Sequence, residues 1–120
     1  MNINARILSN AIEFAAKTKN TDKNFFLAAI ALRKDGTWVW STNSTVMESP
    51  MPSAHAEARV LKKAGQGAII WVARVLKDRK TWAMARPCRT CSALIHNRLV
   101  SKVYYTIGPN EYGVYLPQER

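Results

Sequence analysis

The sequence predicts an α/β fold in which one sheet is covered by helices. Three observations carry this: apolar residues at helical spacing near the N-terminus, β-branched and aromatic runs bounded by turn residues, and two later segments opened by helix-start signals. At 120 residues the chain is the size of one domain, 1–120, large enough to bury a core. Its 48% hydrophobic and 22% charged residues are ordinary globular values, without repeats or low-complexity tracts.

Over residues 3–17, Ile3, Ile7, Leu8, Ala11, Ile12, Phe14 and Ala15 form one apolar stripe, which predicts a first helix. Residues 25–32 and 38–40 are apolar runs separated by Arg33-Lys34-Asp35-Gly36-Thr37, whose Asp-Gly pair signals a hairpin. Residues 43–52, with Pro50 and Pro52 among small polar residues, read as a loop. Ser53 then caps a second helix that runs to about Ala64 and is stopped by Gly65. Residues 68–76 fit a buried strand. After a charged stretch, Pro87 opens a third helix as its first residue, with an end near Leu99. Residues 103–107 and 112–116 predict the fourth and fifth strands. A parallel crossover needs a dozen or more residues, and only 108–111 are available, so these two are expected to be antiparallel.

Eighteen Lys and Arg against eight Asp and Glu give a net charge of +10, a field that concentrates phosphorylated or polyanionic ligands and makes nucleic acid a possible partner. Many of these charges fall on turns and helix surfaces, as at Arg33, Lys34, Lys62 and Lys63, where solvation alone accounts for them. No stretch approaches the ~20 apolar residues of a membrane span, and residues 1–19 lack the apolar centre of a signal peptide. A soluble cytoplasmic protein without a membrane partner is the expectation. In a reducing compartment its two cysteines, Cys88 and Cys91, suggest metal binding or redox chemistry more than a disulfide.

The chemistry concentrates in His55-Ala56-Glu57, then 29 residues, then Pro87-Cys88-Arg89-Thr90-Cys91. Each half alone is weak; together, at the starts of two predicted helices, they match the signature of zinc-dependent nucleobase deaminases. Cys88 and Cys91, three apart, share a helix face, and the positive end of the helix dipole favours their thiolates. His55 supplies a third ligand and leaves the fourth tetrahedral position of zinc open to water, the mark of a catalytic site. The metal lowers the pKa of that water so that hydroxide forms near neutral pH. Glu57, projecting from the first turn beside the metal, is placed to shuttle protons from the water to the ring nitrogen and the departing amine. An isolated glutamate there would otherwise serve the helix dipole. His96 is an unsuitable fourth ligand, since eight residues of helix put it about 12 Å from Cys88 along the axis.

On these residues the chain resembles the zinc-dependent cytidine deaminase superfamily, from Phe25 to Pro117. The resemblance implies a three-layer fold: a mixed five-stranded sheet with helices on both faces. It also implies one Zn²⁺ per chain on His55, Cys88 and Cys91, Glu57 as proton shuttle, and substrate contacts from Asn43, Ala56 and Pro87. Asn43 equally suits a turn. The short final connection and the closing Tyr115-Leu116-Pro117 are similar to the free-nucleoside cytidine deaminase branch, which assembles as homo-oligomers, whereas the branch acting on polynucleotides and on deoxycytidylate has its last two strands parallel with a helix between. The free-nucleoside branch commonly has cysteine where His55 stands and glutamate where Thr45 stands. Ile95-His96-Asn97-Arg98 is similar to tRNA adenosine deaminases, which keeps tRNA or single-stranded nucleic acid as an alternative substrate. The alternative of another class is a non-catalytic zinc protein that binds nucleic acid. Among the aromatics, Phe25, Phe26, Trp71, Trp82 and Tyr112 are candidates to stack on a base, each also suited to the core.

Overall fold

A computed structural model describes residues 2–16, 25–42, 56–76, 78, 80–87 and 89–118. The element order is α1 (Ile3–Ala16), β1 (Phe25–Leu32), β2 (Trp38–Thr42), α2 (Ala56–Ala64), β3 (Ile69–Leu76), β4 (Trp82–Ala83), α3 (Arg89–Asn97), β5 (Lys102–Gly108) and β6 (Glu111–Tyr115). One mixed sheet runs β2-β1-β3-β5-β6, with β4 paired to the far end of β3. Only the β3–β5 pair is parallel; β5 and β6 form the expected antiparallel hairpin.

Strand alternation sorts the sheet into two buried faces. Ala28, Ile30, Trp71, Ala73 and Val75 meet Ile7, Leu8, Ala11 and Ile12 of α1. Ala29, Ala31, Ile70, Val72 and Val103 meet Val60 and Leu61 of α2 and Ile95 of α3. Helices therefore cover both faces, and each fully buried aliphatic side chain contributes about 1.5–3 kcal/mol by leaving water.

Among the described residues the sheet has six strands rather than five, because the charged stretch after β3 folds back as β4. Asp78 makes this turn: its carboxylate accepts from the backbone N–H groups of Lys80 and Thr81 (both 2.9 Å), and Leu76 N–H donates to Thr81 O (3.0 Å). A two-residue strand has no periodicity to read, so a turn built by one carboxylate was not visible in advance. The third helix differs in its start: α3 is described from Arg89, so Pro87 precedes it rather than opening it.

Helix ends follow local chemistry. Gly65, just past α2, has φ +72°, the left-handed conformation that glycine adopts without steric cost. Past α3 the same conformation falls on Leu99 (φ 57°), where Val100 N–H donates to Ile95 O and Leu99 N–H to His96 O, a Schellman cap without its usual glycine. A side chain there costs about 1–2 kcal/mol, partly offset by the lower chain entropy of leucine when unfolded. Leu99→Gly is therefore expected to stabilise the protein by several tenths to about 1 kcal/mol in urea unfolding. A loss of stability would mean that this half-exposed side chain packs better than its surface suggests.

Candidate active site

The two functional helices are held side by side at their C-terminal ends. Gly67 N–H donates to Arg98 O (3.4 Å) and Ser101 N–H to Ala68 O (2.9 Å), tying the turn after α2 to the turn after α3. The helices pack on the same sheet face and against each other. Toward their N-terminal ends both helices reach one group, since Glu57 of α2 and Ser92 of α3 each act on the Tyr115 hydroxyl. Glu57 stands in the first turn of α2 and Cys91 in the first turn of α3, and both side chains are buried.

Burial of Glu57 is enforced by the amphipathic pattern of α2, in which Ala56, Glu57, Val60, Leu61 and Ala64 face inward and Lys62 and Lys63 lie in the last turn. Among the described residues its Oε1 has no hydrogen-bond partner. Burial pushes the Glu57 carboxyl up to about 7, against the smaller opposing pull of its own backbone N–H. Burial alone sets that direction; a cation bound beside the carboxyl would draw it back toward the ionised form that accepts a proton.

Around it lie groups to which the sequence assigned no role in the site. Tyr115 has a buried hydroxyl without a well-formed hydrogen bond; burial raises its pKa, the nearby Ser92 hydroxyl and Arg86 lower it, and the Glu57 charge raises it. Tyr115 thus senses both helices. Arg86 lies over the Tyr115 ring at 5.3 Å and the Tyr105 ring at 5.9 Å, while Ser92 Oγ donates to Pro87 O (3.2 Å). Gly113, paired with Tyr105, leaves room for that ring: a Cβ there would stand 2.9 Å from it. Tyr105 and Tyr115 pack on the face of α2 and α3. Trp71, Trp82 and Tyr112, candidates for stacking on a base, pack on the opposite face with α1. Phe25 and Phe26 lie in β1, with side chains outside the described set. Strand alternation held the missed signal, because Tyr105 and Tyr115 share a face with Val103, but only the register shows which face carries Glu57.

Of the seven candidate site residues, Ala56, Glu57, Pro87 and Cys91 are placed, all buried, while Asn43, His55 and Cys88 lie outside the described residues. Among the described residues no three metal-ligating side chains cluster, which follows from the position of His55 and Cys88 outside that set. The donor chemistry suits zinc: a buried thiol in the first turn of one helix and, in the first turn of the helix packed against it, a buried carboxyl oxygen without a partner among the described residues. His96 is exposed at the opposite end of α3, where Nδ1 pairs with Pro117 O (3.0 Å), so it is remote from Cys91.

Residues 1–107 match the family described as cytidine and deoxycytidylate deaminase zinc-binding region. The chain belongs to the cytidine and deoxycytidylate deaminase family. No curated protein sequence matches it, but solved structures from this family do. A cytidine deaminase from Burkholderia pseudomallei superposes with a TM-score of 0.67 at 18% identity, covering 98% of this chain and 94% of that one. One from Mycobacterium tuberculosis gives 0.56 at 20% identity, over 87% and 85%. One from Mycobacterium leprae gives 0.57 at 16% identity, over 94% of each. At such identities these likenesses carry the fold, and the family match carries deaminase chemistry and a zinc-binding region.

Proposed function

We propose that this deaminase is a single-domain, zinc-dependent hydrolase that converts cytosine to uracil in a free nucleoside or nucleotide, namely cytidine, deoxycytidine or dCMP, and releases ammonia. The observation that carries it is Glu57, buried in the first turn of α2 with an unpartnered oxygen and packed beside the helix that presents Cys91. His55, Cys88 and Cys91 would hold one Zn²⁺, which when bound makes water acidic enough to act as a nucleophile near neutral pH. As the water oxygen adds to the amino-bearing carbon, Glu57 would take one of its protons at a carboxylate oxygen and deliver it to the adjacent ring nitrogen. Glu57 would then pass the remaining proton of the added oxygen to the amino group, and the carbon–nitrogen bond breaks as the carbonyl forms, releasing ammonia. Asn43, Ala56 and Pro87 contribute the substrate contacts, and the rings of Tyr105 and Tyr115 wall the same region. The chain is expected to act in the cytoplasm as a homo-oligomer.

A second reading, action on tRNA or single-stranded nucleic acid, is favoured by the net charge of +10 and by the stretch Ile95-His96-Asn97-Arg98. Ammonia release and the ultraviolet change with cytidine, deoxycytidine, deoxycytidylate, cytosine, adenosine and guanine, with Glu57→Ala as control, separate the cases. Turnover of a cytosine compound that is lost in the control and insensitive to salt is expected. Silence on every free compound would sink the first reading in favour of a polymeric substrate, whose binding falls steeply with salt. Function untouched by Glu57→Ala would instead mark a non-catalytic zinc protein.

A further inference from the structure

We propose that Ser92 is a positioning residue of the proposed metal centre: its hydroxyl staples the segment that leads into Cys88 to the helix that carries Cys91, and Tyr115 holds that hydroxyl from the edge of the sheet. This role rests on the zinc reading above. Two thiolates on one tetrahedral zinc stand about 3.8 Å apart, given Zn–S bonds of about 2.3 Å. Cys91 is fixed by α3, in whose first turn it is buried, whereas Cys88 follows directly on Pro87, the end of the segment that enters from β4. The spacing of the two sulfurs therefore depends on how that segment is tied to α3.

The entering segment is held residue by residue from the sheet. Ala83 O accepts from Thr106 Oγ1 (2.7 Å), Met84 O accepts from Arg74 Nη1 (3.4 Å), and Ala85 N–H donates to Thr106 O (2.9 Å). Thr106 is fully buried in β5, and its hydroxyl also accepts from Arg74 N–H (3.1 Å). Arg86 comes next, with its guanidinium over the rings of Tyr115 and Tyr105. These contacts bind the segment to β3, β5 and β6, and none of them reaches α3.

Ser92 makes that link. Its Oγ donates to Pro87 O (3.2 Å), five residues back, so one bond brackets the stretch that contains both cysteines. Serine hydroxyls in helices often bond back to the preceding turn. Here the hydroxyl also has a neighbour from outside the helix: the buried Tyr115 hydroxyl of β6, whose pKa Ser92 lowers. A serine oxygen that donates its proton to Pro87 O keeps its lone pairs, and the Tyr115 O–H is the donor placed to use one. Tyr115 is braced in turn by Arg86 of the entering segment, so the segment and its staple share a support.

The test is zinc affinity, measured on the whole chain by competition with a chromophoric chelator. Ser92→Ala should weaken zinc binding about 10- to 100-fold, the usual effect of removing a group that orients metal ligands. The thermal midpoint of the metal-free protein should stay close to the parent's, since water can replace a half-buried hydroxyl. Ser92→Thr keeps a hydroxyl that can still turn back along the helix, so it should hold zinc as the parent does. Tyr115→Phe keeps the ring under Arg86 and should weaken binding several-fold. In the Ser92→Ala background it should cost nothing further, because both groups act through one link. Undiminished affinity in Ser92→Ala, or an equal loss in Ser92→Thr, would overturn the role of Ser92, and additive losses in the double variant would overturn that of Tyr115. A metal-free protein destabilised by Ser92→Ala as much as the loaded one would mark a general structural support and also overturn the proposal. A parent chain that takes up no zinc would remove the proposed function together with this role, whereas a parent that binds zinc no better than Ser92→Ala would remove this role alone.

Discussion

Glu57→Gln is expected to reduce turnover of the accepted cytosine compound by about 10²–10⁴-fold while leaving zinc content unchanged. The substitution keeps the shape of a buried side chain in the first turn of α2 and removes only its ability to carry a proton. Glutamine also relieves the cost of burying a carboxylate, the dominant influence on Glu57 in the metal-free chain. The variant should therefore fold at least as well as the parent. Turnover measured alongside metal analysis and urea unfolding separates chemistry from folding. Activity within about tenfold of the parent would assign proton transfer to another group. Lost activity with lost zinc would make Glu57 a support of the metal site instead.

Removing the metal with a chelator is expected to abolish turnover, and adding Zn²⁺ to restore it, since the proposed nucleophile depends on it. The chelated protein should also show a pH dependence of stability that the loaded protein lacks. Glu57 has a folded pKa of about 7, raised from 4.5, so the folded state binds the extra proton. Its contribution is fully present below pH 4.5 and is lost as pH rises through 7, a change of roughly 3 kcal/mol across that window. Bound Zn²⁺ favours the ionised carboxylate and removes the slope. Asp78 does not interfere: hydrogen bonds from Thr81 and Lys80 hold its pKa at about 2, so its contribution fades only in stronger acid. Urea unfolding in chelator from pH 4.5 to 8, on the parent and Glu57→Gln, reads the effect. Equal slopes in the two proteins would show that the carboxyl is solvated in the metal-free state.

Much of the architecture was legible because it rests on local patterns. The apolar stripe of α1, the Asp-Gly hairpin between β1 and β2 and Gly65 after α2 each follow from short-range chemistry and stand where spacing put them, while the connection between the last two strands is shorter than the four residues expected, only Pro109 and Asn110. β4 escaped because hydrogen bonds to Asp78 create it, and two residues have no period. Leu99 gave no warning of its left-handed conformation, because tertiary packing of α3 imposes there what a glycine would have announced.

The site divides in the same way. Residue type and spacing alone led to the proposal that His55 and Glu57 work with Cys88 and Cys91, because metal and proton chemistry permit few side chains for each role. Only the tertiary structure decided which aromatics share the face of Glu57. Trp71 and Tyr112 fall behind the sheet with α1, and Tyr105 and Tyr115 fall in front, because pairing register sets the face of every strand residue and lies outside any single segment. The burial that raises the Glu57 pKa and the exposure of Trp38 and Trp40 at the sheet edge arise likewise from contacts between segments distant in the chain.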